Sequence, residues 1–116
     1  MKFAESKIQQ QCVEWYRNSF CLAHHSPQNI IFSVPNEGKN VLEQMRKTAT
    51  GMMAGVSDLI VVERGRVIFI ECKDGTGTQK LKQGKFEERV IALGYEYYLI
   101  RSLEQFQAIW QNTSAK

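Results

Sequence analysis

The feature that most constrains the fold of this chain is a pair of short apolar runs joined by a polar turn. The runs are Leu59–Val62 and Val67–Ile70, and Glu63-Arg64-Gly65-Arg66 separates them. Short β-branched runs broken by a polar turn that contains glycine are typical of a buried β-hairpin. The sequence therefore predicts two antiparallel strands at the centre of the fold.

The turn of this hairpin decides which residues face each other. If Arg64-Gly65 forms a two-residue loop, Asp58 lies opposite Glu71, and facing residues in an antiparallel pair have Cβ atoms roughly 4.5–5.5 Å apart. Lys73 shares the face of Glu71, because side chains alternate along a strand. Arginine suits the first position of such a turn poorly, so a glycine bulge that shifts the register by one residue is an alternative.

Two acids and a lysine are thus expected to converge at one end of the hairpin. Like charges that face each other are destabilising, and a divalent cation between the carboxylates would turn the repulsion into attraction. A structural interpretation is also open, in which Asp58 caps a loop while Glu71 and Lys73 form an ion pair on the surface. The rest of the chain has to distinguish the two interpretations.

Length and composition indicate a small soluble protein with one domain, residues 1–116. A chain that is 43% hydrophobic and 23% charged can build a core of this size without metals or disulfides. Because no apolar run approaches the ~20 residues of a membrane span and no signal peptide is visible, we expect a cytoplasmic protein. Cys12, Cys21 and Cys72 lack a C-x-x-C spacing, which favours reduced core thiols. The net charge of +3 permits a polyanionic partner.

Helices and strands are expected on both sides of the hairpin, in the order α-β-α-β-β-α-β-α. Apolar spacing and capping residues predict helices at Phe3–Ser19, Val41–Ala49, Gln79–Leu93 and after Ser102, strands at Asn29–Val34 and Tyr95–Ile100, a turn at Pro35–Gly38 and a frayed tail at Asn112–Lys116. The crossover between the last two strands is right-handed, which makes them parallel. The expected fold is α/β, with a small mixed sheet between helices on both faces.

Two polar residues lie on the buried stripes of these helices. Glu5 precedes Ile8 by three positions, and Gln83 precedes Phe86 by three, so both side chains are expected to point inward. Gln83 would then lie on the turn nearest the acidic end of the hairpin. An acid in the first turn of a helix also interacts favourably with the helix dipole, so a site-facing and a helix-stabilising role of Glu5 are both open.

The ordered set of elements and polar residues resembles the PD-(D/E)xK nuclease superfamily and, more closely, the VRR-NUC (virus-type replication-repair nuclease) family. The matching pieces are Glu5, Pro35-Asn36-Glu37-Gly38, Gly51–Leu59, Ile70–Lys73, Gln83, and Leu93-Gly94 leading to Ile100-Arg101-Ser102. The resemblance extends from Glu5 to Phe106 and implies a restriction-endonuclease-like core. Ser57 stands where the family pattern has a proline, a position that provides no ligand.

The resemblance implies a Mg²⁺ site, in which Mn²⁺ would substitute, at Asp58 and Glu71. The main-chain carbonyl of Cys72 would contribute a ligand, and Glu5 would complete or bridge the site directly or through water. Magnesium is typically held by one or two carboxylates together with waters and substrate phosphate, which suits this small set of ligands. No small-molecule cofactor is expected.

The catalytic residues implied by the resemblance are Asp58, Glu71, Lys73, Gln83 and Glu5. Lys73 would orient or help to deprotonate the attacking water and would stabilise charge on the phosphorane, while Gln83 would position Lys73 or the scissile phosphate. Because one such electrostatic contribution is commonly worth on the order of 10²–10³ in rate, alanine at Asp58, Glu71 or Lys73 is expected nearly to abolish cleavage without unfolding the protein.

The implied function is metal-dependent hydrolysis of phosphodiester bonds in DNA. Nothing in the chain matches a base-reading motif, so basic residues would contact phosphates without specifying sequence. These residues are Lys39, Arg46, Lys47, Lys80, Lys82 and Lys85. Small members of the family resemble junction-resolving homodimers, which implies a Holliday-junction resolvase of phage or prophage type that acts on branched DNA in repair. A flap- or nick-directed nuclease, a catalytically silent DNA-binding module and a structural protein are the alternatives.

Overall fold

The computed structural model describes residues 3–35 and 40–114, with side chains up to Gln111. These ranges contain α1 (Phe3–Phe20), β1 (Ile30–Ser33), α2 (Val41–Ala49), β2 (Leu59–Glu63), β3 (Arg66–Cys72), α3 (Leu81–Ala92), β4 (Glu96–Ile100) and α4 (Leu103–Ser114). The order is the one expected from the sequence, and the α/β class is confirmed. None of the described helices is long and apolar enough to cross a lipid bilayer.

The strands form one mixed sheet in the order β1-β2-β3-β4. β2 pairs with both β1 and β3 in antiparallel orientation, and β3 pairs with β4 in parallel. Leu59 faces Ile70 and Glu63 faces Arg66, so the hairpin turns through two residues. Gly65 provides the left-handed backbone that this turn needs, with a φ of 69°. The expected register is confirmed, and the alternative with a glycine bulge is wrong.

Side chains alternate between the two faces of the sheet, and each face packs against different helices. One face packs against α1 and α4 and contains the buried cluster Cys12, Tyr16, Ile31, Leu59, Val61, Ile68, Ile70, Cys72, Ile100, Phe106 and Ile109. On the other face Phe69 of β3 packs against Phe86 of α3, with ring centroids 5.6 Å apart. Glu71 shares the face of Phe69, so the acidic end of the hairpin lies on the α3 side.

Several boundaries differ from the sequence-based expectation, most of them by one residue, or lie outside the described residues. α3 begins at Leu81 rather than Gln79, because Lys80 is the N-cap, with an extended backbone and its N–H bonded to Gln83 Oε1. α4 continues to Ser114, past the start of the expected frayed tail. Most of the turn expected after Pro35 lies in residues 36–39, outside the described ranges, as does Lys39.

An apolar stripe on α2 is exposed. Asn40 caps the helix by accepting the Glu43 N–H at 2.9 Å, as the sequence predicts. Val41 is nevertheless 77% exposed and Met45 64%, and no residue of α2 is buried. The amphipathic pattern therefore identified the helix correctly, although its apolar side is not covered by the described part of the chain.

A largely buried carboxylate connects the hairpin turn to both helices of the core. Glu63 Oε2 accepts hydrogen bonds from the Tyr16 hydroxyl and, at 2.8 Å, from Trp110 Nε1. Glu63 Oε1 lies 3.5 Å from the guanidinium of Arg66. This contact holds the far end of the sheet against α1 and α4, away from the end that carries Asp58 and Glu71.

Replacing Glu63 with leucine is expected to lower the free energy of unfolding by about 2–4 kcal/mol. The change leaves the Tyr16 hydroxyl and the Trp110 N–H without their acceptor, and each unsatisfied buried group costs about 1–3 kcal/mol. Glu63→Gln keeps an acceptor oxygen and should cost less than half as much. Urea titration of both variants beside the wild type measures the difference, and equal midpoints for the two variants would contradict this account.

Candidate active site

The end of the central hairpin brings the predicted acids together. Asp58 immediately precedes β2, and the register places it opposite Glu71 near the end of β3. Its Oδ2 atom accepts the backbone N–H of Cys72 at 2.8 Å, which fixes the carboxylate across the strand pair. Asp58 therefore caps the end of β3 rather than a loop, and its carboxylate also lies beside Glu71 in a cleft.

Glu71 is the most enclosed acid of the site. Its Oε2 atom accepts a hydrogen bond from Gln83 Nε2 at 3.0 Å and lies 3.7 Å from Lys73 Nζ. Glu71 is 2% exposed and Lys73 6%, so the interpretation of these residues as a surface ion pair is wrong. Glu71 Oε1 is buried and has no hydrogen-bond partner among the described residues. This carboxylate oxygen could therefore bind a metal ion.

Gln83 points inward from the first turn of α3, as expected. Its Oε1 atom accepts the backbone N–H of Lys80 at 2.8 Å, so the amide is held at the helix start while its Nε2 atom donates to Glu71. The same turn of α3 lies against Gly55, since a methyl group built there would meet Lys82 O at 2.3 Å. The loop before Asp58 and the helix that carries Gln83 are therefore in backbone contact.

Glu5 reaches the site from the first turn of α1. It is 8% exposed, and a methyl group built on Gly77 would lie 3.1 Å from its Oε2 atom and 3.4 Å from Lys73 Cδ. The negative charge of Glu5 contributes to raising the pKa of Asp58, after the larger effect of burial. In residues 3–35 and 40–114, however, no three His, Cys, Asp or Glu side chains are grouped as a metal site.

Cys72 meets the site through its main chain. Its thiol is fully buried and belongs to the core cluster on the α1 and α4 side of the sheet. Burial, followed by the charge of Asp58, raises the pKa of this thiol, so it stays protonated and is not a thiolate ligand. Its backbone N–H donates a hydrogen bond to Asp58. Its side chain points to the opposite face of the sheet from that of Glu71, because side chains alternate along β3.

The proximity of the two carboxyl groups shapes their ionisation. Burial and then the charge of Asp58 raise the pKa of Glu71 to about 8, although Lys73 acts in the opposite direction. Burial also raises the pKa of Asp58, against the hydrogen bond from the Cys72 N–H. A buried and a half-buried acid that disfavour each other's charge form a donor set that fits a divalent cation.

The raised pKa of Glu71 predicts that the metal-free protein loses stability as the pH rises. In the folded protein the carboxyl group keeps its proton up to about pH 8, whereas the unfolded chain releases it near the ordinary pKa of 4.5. The folded state therefore binds more protons between these values, and the free energy of unfolding falls as the pH rises through this window. Urea titrations in EDTA across the window measure this slope.

Glu71→Gln is the control for this slope, because glutamine keeps the shape of the side chain and does not titrate. The variant is expected to be more stable than the wild type near pH 8 and to show a flatter dependence on pH. Equal slopes for both proteins would mean that Glu71 does not carry the proton.

These side chains line an open cleft of about 780 Å³. Among its lining residues are Glu5, Asp58, Glu71, Lys73, Thr78, Lys80 and Gln83. The five predicted catalytic residues thus share one cleft. The loop after Lys73, for which the sequence predicts no role, is ordered by Asp74 Oδ1, which accepts the N–H groups of Thr76 and Gly77. Aspartate before Gly-Thr is a signal for such a turn.

Two solved structures have a similar fold. One, described as a VRR_NUC domain protein, matches with a TM-score of 0.72 and 20% identity over 96% of this chain and 88% of its own. Another, described as a VRR_NUC domain, matches with a TM-score of 0.63 and 19% identity over 95% of this chain and 97% of its own. No protein-family model matches the chain, and no match was found among curated proteins. At these identities the similarity establishes the architecture, so the chain has the fold of the VRR_NUC domain.

Proposed function

We propose that this protein is a divalent-metal-dependent nuclease that hydrolyses phosphodiester bonds in DNA. The observation that carries the proposal is the pairing of half-buried Asp58 with buried Glu71, with the Lys73 ammonium beside Glu71 in an open cleft. The sequence resemblance to the VRR-NUC family and the similarity in fold to two VRR_NUC structures support the same function. PD-(D/E)xK nucleases generally use divalent metals.

Asp58 and Glu71 would hold Mg²⁺, or Mn²⁺ in its place. Glu71 Oε1 is a buried acceptor with no hydrogen-bond partner among the described residues, and the Cys72 carbonyl and Glu5 would complete the set directly or through water. When bound, the cation lowers the pKa of its water and neutralises charge that develops on the phosphate. Asp58 is held in position because its Oδ2 atom accepts a hydrogen bond from the Cys72 N–H.

Lys73 would act on the attacking water or on the scissile phosphate. Its ammonium lies 3.7 Å from Glu71 Oε2 and is largely excluded from solvent, so its charge acts in a poorly screened environment. Gln83 would keep Glu71 in place, since both ends of its amide are engaged, one by the Lys80 N–H and one by Glu71. This positioning of Glu71 refines the role expected from the sequence, in which Gln83 positions Lys73 or the phosphate.

The proposed substrate is branched DNA. Lys80 lines the cleft, and Lys82 and Lys85 are exposed on the following turns of α3, where they could contact the phosphates of a bound duplex. Phosphate contacts position DNA without reading its sequence, so selectivity would come from the shape of the substrate. We assign a four-way junction as the preferred shape, with a flap or a nick as the second candidate.

The proposed working unit is a homodimer, because a four-way junction needs two cuts in opposing strands and each copy has one cleft. The uncovered apolar side of α2 supports this arrangement, since large exposed apolar surfaces commonly mark interfaces. Sedimentation of the wild type and Met45→Lys tests it. A dimer that dissociates in the variant is expected, and a monomeric wild type would contradict it.

The nuclease assignment is tested with end-labelled DNA in Mg²⁺, Mn²⁺ or EDTA. The substrates are a four-way junction, a 5′ flap, a nicked duplex and an intact duplex. Symmetric metal-dependent cuts in opposing strands of the junction are expected. Cutting confined to the flap or nick would support metal-dependent hydrolysis but contradict the four-way junction as the preferred substrate. Binding without cutting would favour a silent DNA-binding module.

A further inference from the structure

Arg101 connects the end of β4 to the loop that follows Lys73. Its Nη1 atom donates to the main-chain carbonyls of Asp74 and Gly77, at 2.6 and 2.7 Å. Hydrogen bonds from a charged donor are roughly twice as strong as neutral ones. The positive guanidinium also offsets the repulsion between the two carbonyl oxygens that accept from it. The guanidinium thus fixes both ends of residues 74–77 relative to the sheet.

The loop is ordered from within by one carboxylate. Asp74 Oδ1 accepts the N–H groups of Thr76 at 2.9 Å and Gly77 at 2.6 Å, and also the Thr76 hydroxyl at 2.9 Å. These contacts set the internal shape of the loop, but they do not attach it to another element. Arg101 provides an attachment of this kind, close to the backbone hydrogen bond from Lys73 to Ile100 that ends the pairing of β3 with β4.

The fixed loop lies against two residues of the proposed catalytic site. A methyl group built on Gly77 would lie 3.1 Å from Glu5 Oε2, 3.3 Å from Asp74 Oδ1 and 3.4 Å from Lys73 Cδ. Gly77 therefore forms part of the wall that limits where the Glu5 carboxylate and the Lys73 chain can go. Movement of the loop would widen the space around both groups.

We propose that Arg101 is a positioning residue, which acts on Lys73 and Glu5 by holding residues 74–77 against them. The inference rests on the proposed nuclease function of the same cleft. A displacement of about 1 Å at a reacting group can cost on the order of 10² in rate. Loss of the guanidinium is therefore expected to lower kcat by about 10- to 100-fold with a much smaller change in KM, because the DNA-binding surface is unchanged.

The test compares Arg101→Met, Arg101→Lys and Arg66→Met with the wild type. Arg66 is the matched control, since it is a partly buried arginine paired with Glu96 at the opposite end of the same sheet. Amide hydrogen exchange of Thr76 and Gly77 is measured in EDTA, and kcat and KM for cleavage of the junction are measured under steady-state conditions in Mg²⁺. Urea titration confirms that each variant is folded.

We expect Arg101→Met to speed exchange at Thr76 and Gly77 at least tenfold and to lower kcat. Arg101→Lys, which keeps a cationic donor, should recover part of both, and Arg66→Met should change neither. Unchanged exchange in folded Arg101→Met, or faster exchange with an unchanged kcat, would overturn the inference. A wild type that cuts no DNA would overturn the proposed function and with it the catalytic part of the inference, while exchange would still decide whether Arg101 holds the loop.

Discussion

Replacing Lys73 with methionine is expected to lower the rate of DNA cleavage by about 10²–10³-fold, the usual cost of losing one preorganised charge from a site of this kind. Methionine keeps an unbranched chain that can pack against Gly77, so the change removes the ammonium with little loss of packing. The Asp58–Glu71 pair is untouched. The variant should therefore still gain thermal stability from Mn²⁺, as any protein gains stability from a ligand of its folded state.

Lys80→Met is the matched control for this change. Lys80 lines the same cleft but is exposed, and its contact with Gln83 uses its backbone N–H. The control should weaken DNA binding modestly and leave the maximal rate within a few-fold of the wild type. A Lys73→Met protein that cuts at nearly the wild-type rate, or a Lys80→Met protein that loses as much, would remove Lys73 from the mechanism.

Replacing Gly55 with alanine is expected to lower the free energy of unfolding by about 3 kcal/mol. A methyl group there would lie 2.3 Å from Lys82 O and 2.5 Å from Lys82 C, both of them backbone atoms of α3. Overpacking of this kind costs about 1–3 kcal/mol, and the φ of 83° adds roughly 1–2 kcal/mol for any residue with a Cβ atom. Because α3 must move away, Gln83 should also lose its contact with Glu71, and cleavage should fall.

Gly65→Ala separates the two contributions. Gly65 also has a left-handed backbone, with a φ of 69°, but nothing lies within 4 Å of a methyl group built on it. Its substitution should therefore cost only the conformational part, about 1 kcal/mol, and should leave cleavage unchanged. Urea titration of both variants measures the difference. Equal losses in the free energy of unfolding would mean that the close approach of Gly55 to α3 does not contribute to the cost of the Gly55 substitution.

The sequence predicted the acidic end of the hairpin well, because a two-residue loop at Arg64-Gly65 between the two apolar strands places Asp58 opposite Glu71. Once Asp58 faces Glu71, alternation alone puts Lys73 on the same face. Gln83 followed from helical spacing in the same way, since it precedes the half-buried Phe86 by about one turn. The chain-order argument for a parallel last strand was also sufficient, and β3 and β4 are parallel.

Contacts that depend on loop conformation or on a third element were not predictable in this way. In the sequence Arg101 is only part of a family-like segment, because its partners are main-chain carbonyls whose positions depend on how residues 74–77 fold. The sequence places Glu63 beside the turn, but its contacts with Tyr16 and Trp110 form only when two helices pack against the sheet. Spacing on one element gives the direction of a side chain, whereas its partner depends on the tertiary structure.

The exposed apolar side of α2 is a second feature that the sequence pattern could not predict. Val41, Leu42 and Met45 have the spacing of a buried helix face, yet all three are exposed. Periodicity indicates that an apolar side exists and does not indicate what covers it. In the proposed homodimer that partner is a second copy of the chain.

The central claim is that Asp58 and Glu71 support metal-dependent hydrolysis of DNA, and single-turnover cleavage of an end-labelled four-way junction tests it most directly. Wild type and Asp58→Asn are compared in Mg²⁺ and in EDTA; asparagine retains an acceptor for the Cys72 N–H, so the fold is preserved. We predict cleavage by the wild type in Mg²⁺, none in EDTA, and a rate at least about 10²-fold lower for Asp58→Asn. Cleavage that survives EDTA, or an Asp58→Asn variant as active as the wild type, would contradict the claim.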